Sequence, residues 1–125
     1  MSPRRSDLSF IRRTRKKFRR VTNTAIGSGL IGTASRLARL HPMANPSKHG
    51  VDVIRNVEYR NSGNPRHRLD VYRPMKRSGP LPVVVYIHGG AFHILSKDTH
   101  WLMGLAFARA GYLAFNIDYR LAPQF

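Results

Sequence analysis

The chain contains no cysteine, which excludes a disulfide framework and a thiolate metal site. Acids are scarce: six Asp and Glu stand against 22 Lys and Arg in 125 residues. No apolar run approaches the ~20 residues that a membrane-spanning helix needs. What remains is a strongly basic chain with room for one small domain.

The positive charge is unevenly placed. Residues 1–20 hold nine basic side chains, from Arg4 and Arg5 to Arg19 and Arg20, against Asp7 alone, so half of the net +16 lies there. Such a run attracts phosphates. Through Arg4 to Arg20 an anionic membrane surface is the expected partner, and nucleic acid the less favoured one. A merely solvated terminus is the bland alternative. In residues 8–20 a helix would gather Leu8, Ile11 and Phe18 on one face, with the stem of Arg15 over them. A secretory signal fits poorly, because polar residues and glycines interrupt "VTNTAIGSGLIGTAS" repeatedly. The expected place is the cytoplasm, peripheral at the membrane if the basic segment engages lipid.

"GSGLIG" at 27–32 has the form of a dinucleotide-binding turn, and Asp52 follows at a suitable distance. The stretch before it, "FRRVTNTAI", is too polar for the buried strand such a turn requires. A small-residue helix or turn is expected instead. Six histidines invite a metal reading, but His88, His93 and His100 lack the i, i+4 pairing or carboxylate cluster of a ligand set.

Residues 33–41 read as a helix with Ala34, Leu37, Ala38 and Leu40 near one face, stopped by Pro42 and Pro46. The period then changes from helical to alternating. Val51, Val53, Val57 and Tyr59 share one parity, as in a half-buried strand, and "RLDVYRP" at 68–74 alternates again across the turn "NSGNP". These two segments are expected to pair antiparallel. "VVVYI" at 83–87 is apolar on both parities, which predicts a strand covered on both faces, typically a central parallel one. "THWLMGLAFARA" at 99–110 predicts a well-buried helix, capped by Ser96 or Asp98 and ended by Gly111. Another strand follows at 112–119. The expected fold is α/β: an antiparallel pair, then a strand–helix–strand parallel unit.

The most pointed stretch is "PVVVYIHGGAF" at 82–92. A buried strand runs into a histidine and then into two residues without side chains. Loops beyond the carboxyl ends of parallel strands are where open α/β sheets bind ligands. Adjacent glycines let another group approach the main chain closely. Their N–H groups can aim together at one oxygen, as acyl transfer requires of an oxyanion site.

"HGGAF" at 88–92 resembles the HGGG-type motif of α/β-hydrolase esterases and lipases. "DYRLAP" at 118–123 is similar to the signature of their hormone-sensitive-lipase-like branch, and "LDVYRP" at 69–74 to the strand that precedes the glycine motif. The resemblance covers residues 48–125 and leaves 1–47 as a separate, partly helical basic segment. It implies carboxylic ester hydrolysis on a small-molecule ester, with no cofactor. Gly89 and Gly90 would donate backbone N–H groups to the oxyanion. Ala91 holds the third glycine position. His88 would brace the loop without acting as the catalytic base, and Phe92 and His93 would border the substrate. Asp118, Tyr119 and Arg120 would be structural polar residues near the site floor. Gln124 departs from the family's usual glutamate.

The family's nucleophile sits in G-x-S-x-G, followed by an acid and a histidine. No G-x-S-x-G occurs in the 125 residues. The expectation is therefore the oxyanion-hole half of a serine esterase, cut before the nucleophile elbow and inactive by itself. The alternative is a basic module that binds anionic lipid or nucleic acid beside a vestigial hydrolase part. Asp98 and His100 do not make a dyad, since positions two apart on a helix diverge.

Overall fold

The computed structural model describes residues 29–124. The basic run Arg4 to Arg20 and the helix expected at 8–20 lie outside the described residues, as do Gly27 and Ser28 of the glycine-rich turn.

The described chain opens in helix α1 at 29–40. Pro42 and Pro46 then start two short 3-10 turns, Pro42–Ala44 and Pro46–His49, each capped by the side chain before it. His41 Nδ1 accepts from the N–H of Met43, and Asn45 Oδ1 from that of Ser47. Gly50 reverses the chain at φ 66° and delivers it into β1, Val51–Glu58. Strand β2, Arg68–Pro74, returns antiparallel to β1. After β3, Val83–Ile87, comes α2, Trp101–Arg109, and then β4, Leu113–Ile117. The sheet order is β1-β2-β4-β3, with β4 antiparallel to β2 and parallel to β3. This is the mixed sheet with flanking helices expected of the α/β class.

The parity of β1 breaks where the sequence suggested a single face. Between Ile54 and Val57 the register slips, with Arg55 and Asn56 opposite Asp70 alone. Asn56 sits in the slip at φ 57°, and its N–H bonds to Asp70 Oδ1 at 2.9 Å. One inserted residue turns the following side chains over. Val51 is buried, but Val57 and Tyr59 face solvent.

Strand β3 corrects a second expectation. Among the described residues it is an edge strand, paired only with β4. Helix α2 covers one face of the sheet, and Val83, Val85 and Ile87 on the other face are each more than half exposed. An all-apolar run reports that both faces tolerate burial; it does not supply the element that covers them.

Helix α2 begins at Trp101, with His100 at the cap position and no side-chain capping bond. Ser96 and Asp98 do not cap it. Ser96 forms a turn with Thr99, whose Oγ1 donates to Ser96 O at 2.7 Å. Trp101, Leu105 and Ala108 join Val51, Tyr72 and Ala114 in the core, while Leu102 is exposed. Gly104 lies against the ring of Tyr72, so α2 approaches the sheet closely enough to leave no room for a Cβ.

Candidate active site

Strands β3 and β4 run parallel, so the segments after them, 88–95 and 118–122, emerge at the same end of the sheet. There they are tied together. The N–H of Ala122 donates to Phe92 O at 2.7 Å, and His93 Nδ1 meets Ala122 O at 3.0 Å. Tyr119 Oη donates to His88 O at 2.8 Å. The ring of Tyr119 stacks on that of His88, with centroids 4.5 Å apart.

His88 is buried, and its Nδ1 lies 2.7 Å from Gly89 O. A carbonyl oxygen only accepts, so Nδ1 is the donor in this contact. Nε2 faces Asp118 Oδ1 at 3.6 Å. The ring of His100 also stacks with the imidazole, centroid to centroid 5.7 Å. His88 is thus packed against two rings and held to the loop it precedes.

The loop itself is tightly wound. Gly90 has φ 121°, and Ala91, Phe92 and Leu95 have φ 51°, 60° and 77°. Left-handed dihedrals at residues with a Cβ are unfavourable by ~1–3 kcal/mol each and persist only where the surroundings over-determine them. Here they are over-determined. The N–H groups of His93 and Ile94 both donate to Gly90 O, at 3.0 and 3.1 Å. Arg66, on the β1–β2 connection, donates from Nη1 to Leu95 O at 3.3 Å.

The consequence lies in what is left over. No hydrogen bond among the described residues uses the N–H of Gly89, Gly90 or Ala91. Gly89, Ala91 and Phe92 are exposed. A loop held this firmly, with four successive donors, Gly89 to Phe92, unspent among the described residues at the carboxyl end of a parallel strand, is suited to bind an oxygen anion. The two glycines differ in kind. A Cβ on Gly90 would overlap the carbonyl of Ile94, whereas one on Gly89 would meet nothing within 4 Å. Gly90 is required by shape, whereas the space beside Gly89 is open.

Phe92 projects into solvent with its ring edge toward Tyr119, centroids 5.9 Å apart. His93 lines an open cleft of about 390 Å³ with Arg66, Leu95, Asp98 and Asp118. That cleft lies between α1, the β1–β2 connection and the loop.

Beneath the loop runs a polar network that the sequence did not reveal. The N–H of Lys97 donates to Asp118 Oδ1 at 2.7 Å, and its Nζ reaches Asp70 Oδ1 at 2.9 Å. Both Lys97 and Asp70 are buried. Arg55 Nη1 approaches Asp70 Oδ2 at 3.6 Å. Lys97 Nζ also meets Asp98 Oδ1 at 3.3 Å, and Asp98 pairs with Arg39 of α1 at 3.2 Å. Burial raises the Asp98 carboxyl, but Lys97 and Arg39 outweigh it and hold the group below its ordinary pKa. Asp98 is thus an ion-pair residue, and His100 a stacking partner of His88. Asn116 closes the network by donating from Nδ2 to the carbonyls of Lys97 and His100. Asp70 carried one signal: it shares strand parity with Tyr72, and an acid on the inward parity needs a buried cation. Lys97, in "LSKDTH", carries no local pattern in the sequence that marks it as buried.

Comparison with known proteins bears on the same residues. The BD-FAE family profile matches residues 69–125. A probable isoprenylcysteine alpha-carbonyl methylesterase from Oryza sativa subsp. japonica is 44% identical over 72 residues, 58% of this chain and 16% of that protein. A versiconal hemiacetal acetate esterase from Dothistroma septosporum is 33% identical over 90 residues, 68% of this chain and 24% of that protein. The chain therefore spans about a sixth to a quarter of these relatives. Among solved structures, esterase B from Lactobacillus rhamnosis superposes with a TM-score of 0.57 at 22% identity, over 78% of this chain and 34% of that one. A bacterial heroin esterase gives 0.56 at 24% identity, over 81% and 30%. These structures share the fold. With the HGGAF and DYRLAP segments placed as described, the chain carries the N-terminal portion of the α/β-hydrolase fold of these esterase structures, and over residues 69–125 it is similar to the BD-FAE family.

Proposed function

We propose that this segment is the oxyanion-hole part of a serine ester hydrolase acting on short or medium acyl esters of small molecules. The observation that supports this reading is the row of N–H groups at Gly89, Gly90 and Ala91, unspent among the described residues, on a strained loop. When a nucleophile attacks an ester carbonyl, the oxygen gains negative charge. Donors already aimed at that position need no reorganisation as the charge develops, and each is worth ~3 kcal/mol of transition-state stabilisation. Gly89 and Gly90 supply them. His88, stacked on Tyr119 and His100, keeps the loop seated. Phe92 and His93 flank the place where the acyl or alcohol group lies. The names of the esterase relatives agree with ester substrates.

The 125 residues contain no G-x-S-x-G, so this chain alone is expected to be inactive. The test compares it with a longer polypeptide that continues it through a serine-bearing elbow. A fluorophosphonate probe should label the longer polypeptide and leave the 125-residue chain unlabelled. In the structure of the adduct, the phosphonyl oxygen should lie ~2.7–3.1 Å from the N atoms of Gly89 and Gly90. A phosphonyl oxygen held by other donors would overturn the assignment.

A further inference from the structure

Helix α1 is turned the unusual way round. Its inward stripe is Gly32, Ser35 and Arg39, spaced i, i+3, i+7. Ser35 Oγ reaches Thr99 O at 3.4 Å, and Arg39 Nη2 donates to Asp98 O at 3.0 Å. The Arg39 guanidinium also lies over the Trp101 ring, 5.8 Å from its centroid. The apolar stripe faces away. Leu30 is 68% exposed, Leu37 63% and Leu40 79%, and Ile31 and Met43 are exposed as well. A surface helix normally buries its apolar stripe. Single exposed leucines need no explanation, but a contiguous stripe does.

Charge indicates what covers it. From residue 8 to residue 51 there is no acid and there are ten basic residues, seven of them ahead of α1 and Arg36 on it. We infer that the outward face of α1, with the basic segment before it, docks on an anionic lipid surface, Leu30, Leu37 and Leu40 entering the acyl boundary. A bilayer offers an apolar phase and a dense negative layer side by side. Nucleic acid offers the phosphates without the apolar phase. A second copy would bring like charge against like. The inference is independent of the ester-hydrolase reading, because α1 docks by polar contacts whether or not the glycine loop binds an oxyanion.

The test is co-sedimentation of the 125-residue chain with vesicles of phosphatidylcholine, alone or mixed with phosphatidylserine. Binding is expected only to the mixed vesicles and should fall as salt is raised. Leu37→Gln with Leu40→Gln keeps helix propensity and removes two exposed apolar side chains, so binding should weaken about tenfold or more with an unchanged circular dichroism spectrum. Arg12→Gln with Arg13→Gln and Arg15→Gln should weaken it as well. Val85→Ser, on the uncovered face of the sheet, should bind as the parent does. Four results would each overturn the inference. They are unchanged binding by the double leucine variant, equal binding to neutral vesicles, equal weakening by Val85→Ser, and a lower mass by light scattering for the leucine variant, which would mark α1 as a self-association face.

Discussion

Replacing Gly90 by alanine should unmake the loop, while the same change one residue earlier should be tolerated. At Gly90 the backbone has φ 121°, which an alanine adopts only under strain of ~1–3 kcal/mol. The added Cβ would also overlap the carbonyl of Ile94, a backbone atom that cannot step aside alone. That carbonyl belongs to a residue whose own N–H bonds to Gly90 O, beside the bond from His93. Relieving the overlap therefore breaks one or both bonds, at about 1 kcal/mol each. Together these come to ~2–5 kcal/mol, enough to open the turn locally. Gly89 has no φ in the left-handed region and open space at its Cβ. Amide hydrogen exchange reads the difference on the 125-residue chain. In Gly90→Ala the amides of His93 and Ile94 should lose protection by about a hundredfold, and in Gly89→Ala they should keep it. In a polypeptide that also carries the nucleophile, Gly90→Ala should lower kcat by ~10²-fold or more, with a smaller effect on KM. Parental protection at His93 and Ile94 in Gly90→Ala would refute the account of why glycine stands there.

Lys97→Met strips the buried Asp70 of its closest cation and should destabilise the chain by about 3 kcal/mol in denaturant melts, and adding Asp70→Leu should recover part of that loss; a change under ~1 kcal/mol would mean the pair is not buried as described. Tyr72 is fully buried, and burial, helped by Asp70, pushes its phenol up to about 12. The raised value favours the neutral form in the fold, so this contribution to stability is complete below pH ~10, declines by ~1.4 kcal/mol per pH unit between pH ~10 and ~12, and is lost above that. Tyr72→Phe should remove that part of the alkaline slope, and an unchanged slope would count against the assignment. The 125-residue chain should self-associate despite its charge, because the outer edge of β3 is unpaired among the described residues and Val83, Val85 and Ile87 are wet. Size-exclusion chromatography with light scattering should give a mass above that of the monomer. A stable monomer that unfolds cooperatively would argue against it.

The sequence alone determined the local units and marked the glycine loop at 88–92. Alternating parity marked β1 and β2, the turn formers at 61–65 separated them, and the prolines at 42 and 46 ended α1, because these signals act over a few residues. The run from His88 to Phe92 showed that backbone, not side chain, was on offer, since two adjacent glycines leave nothing else. What lay beyond the sequence depended on neighbours far along the chain. The slip at Asn56 exists because Asp70 captures its N–H from the next strand. Periodicity placed Ala34, Leu37, Ala38 and Leu40 on one face of a helix, but only the contacts of Arg39 with Asp98 and Trp101 decided that this face looks outward. Lys97 reads as a loop lysine until β2 brings Asp70 to within 2.9 Å of it. Pattern reports what a face would tolerate, whereas burial and pairing are relations between segments, and only their meeting in space decides which relation holds.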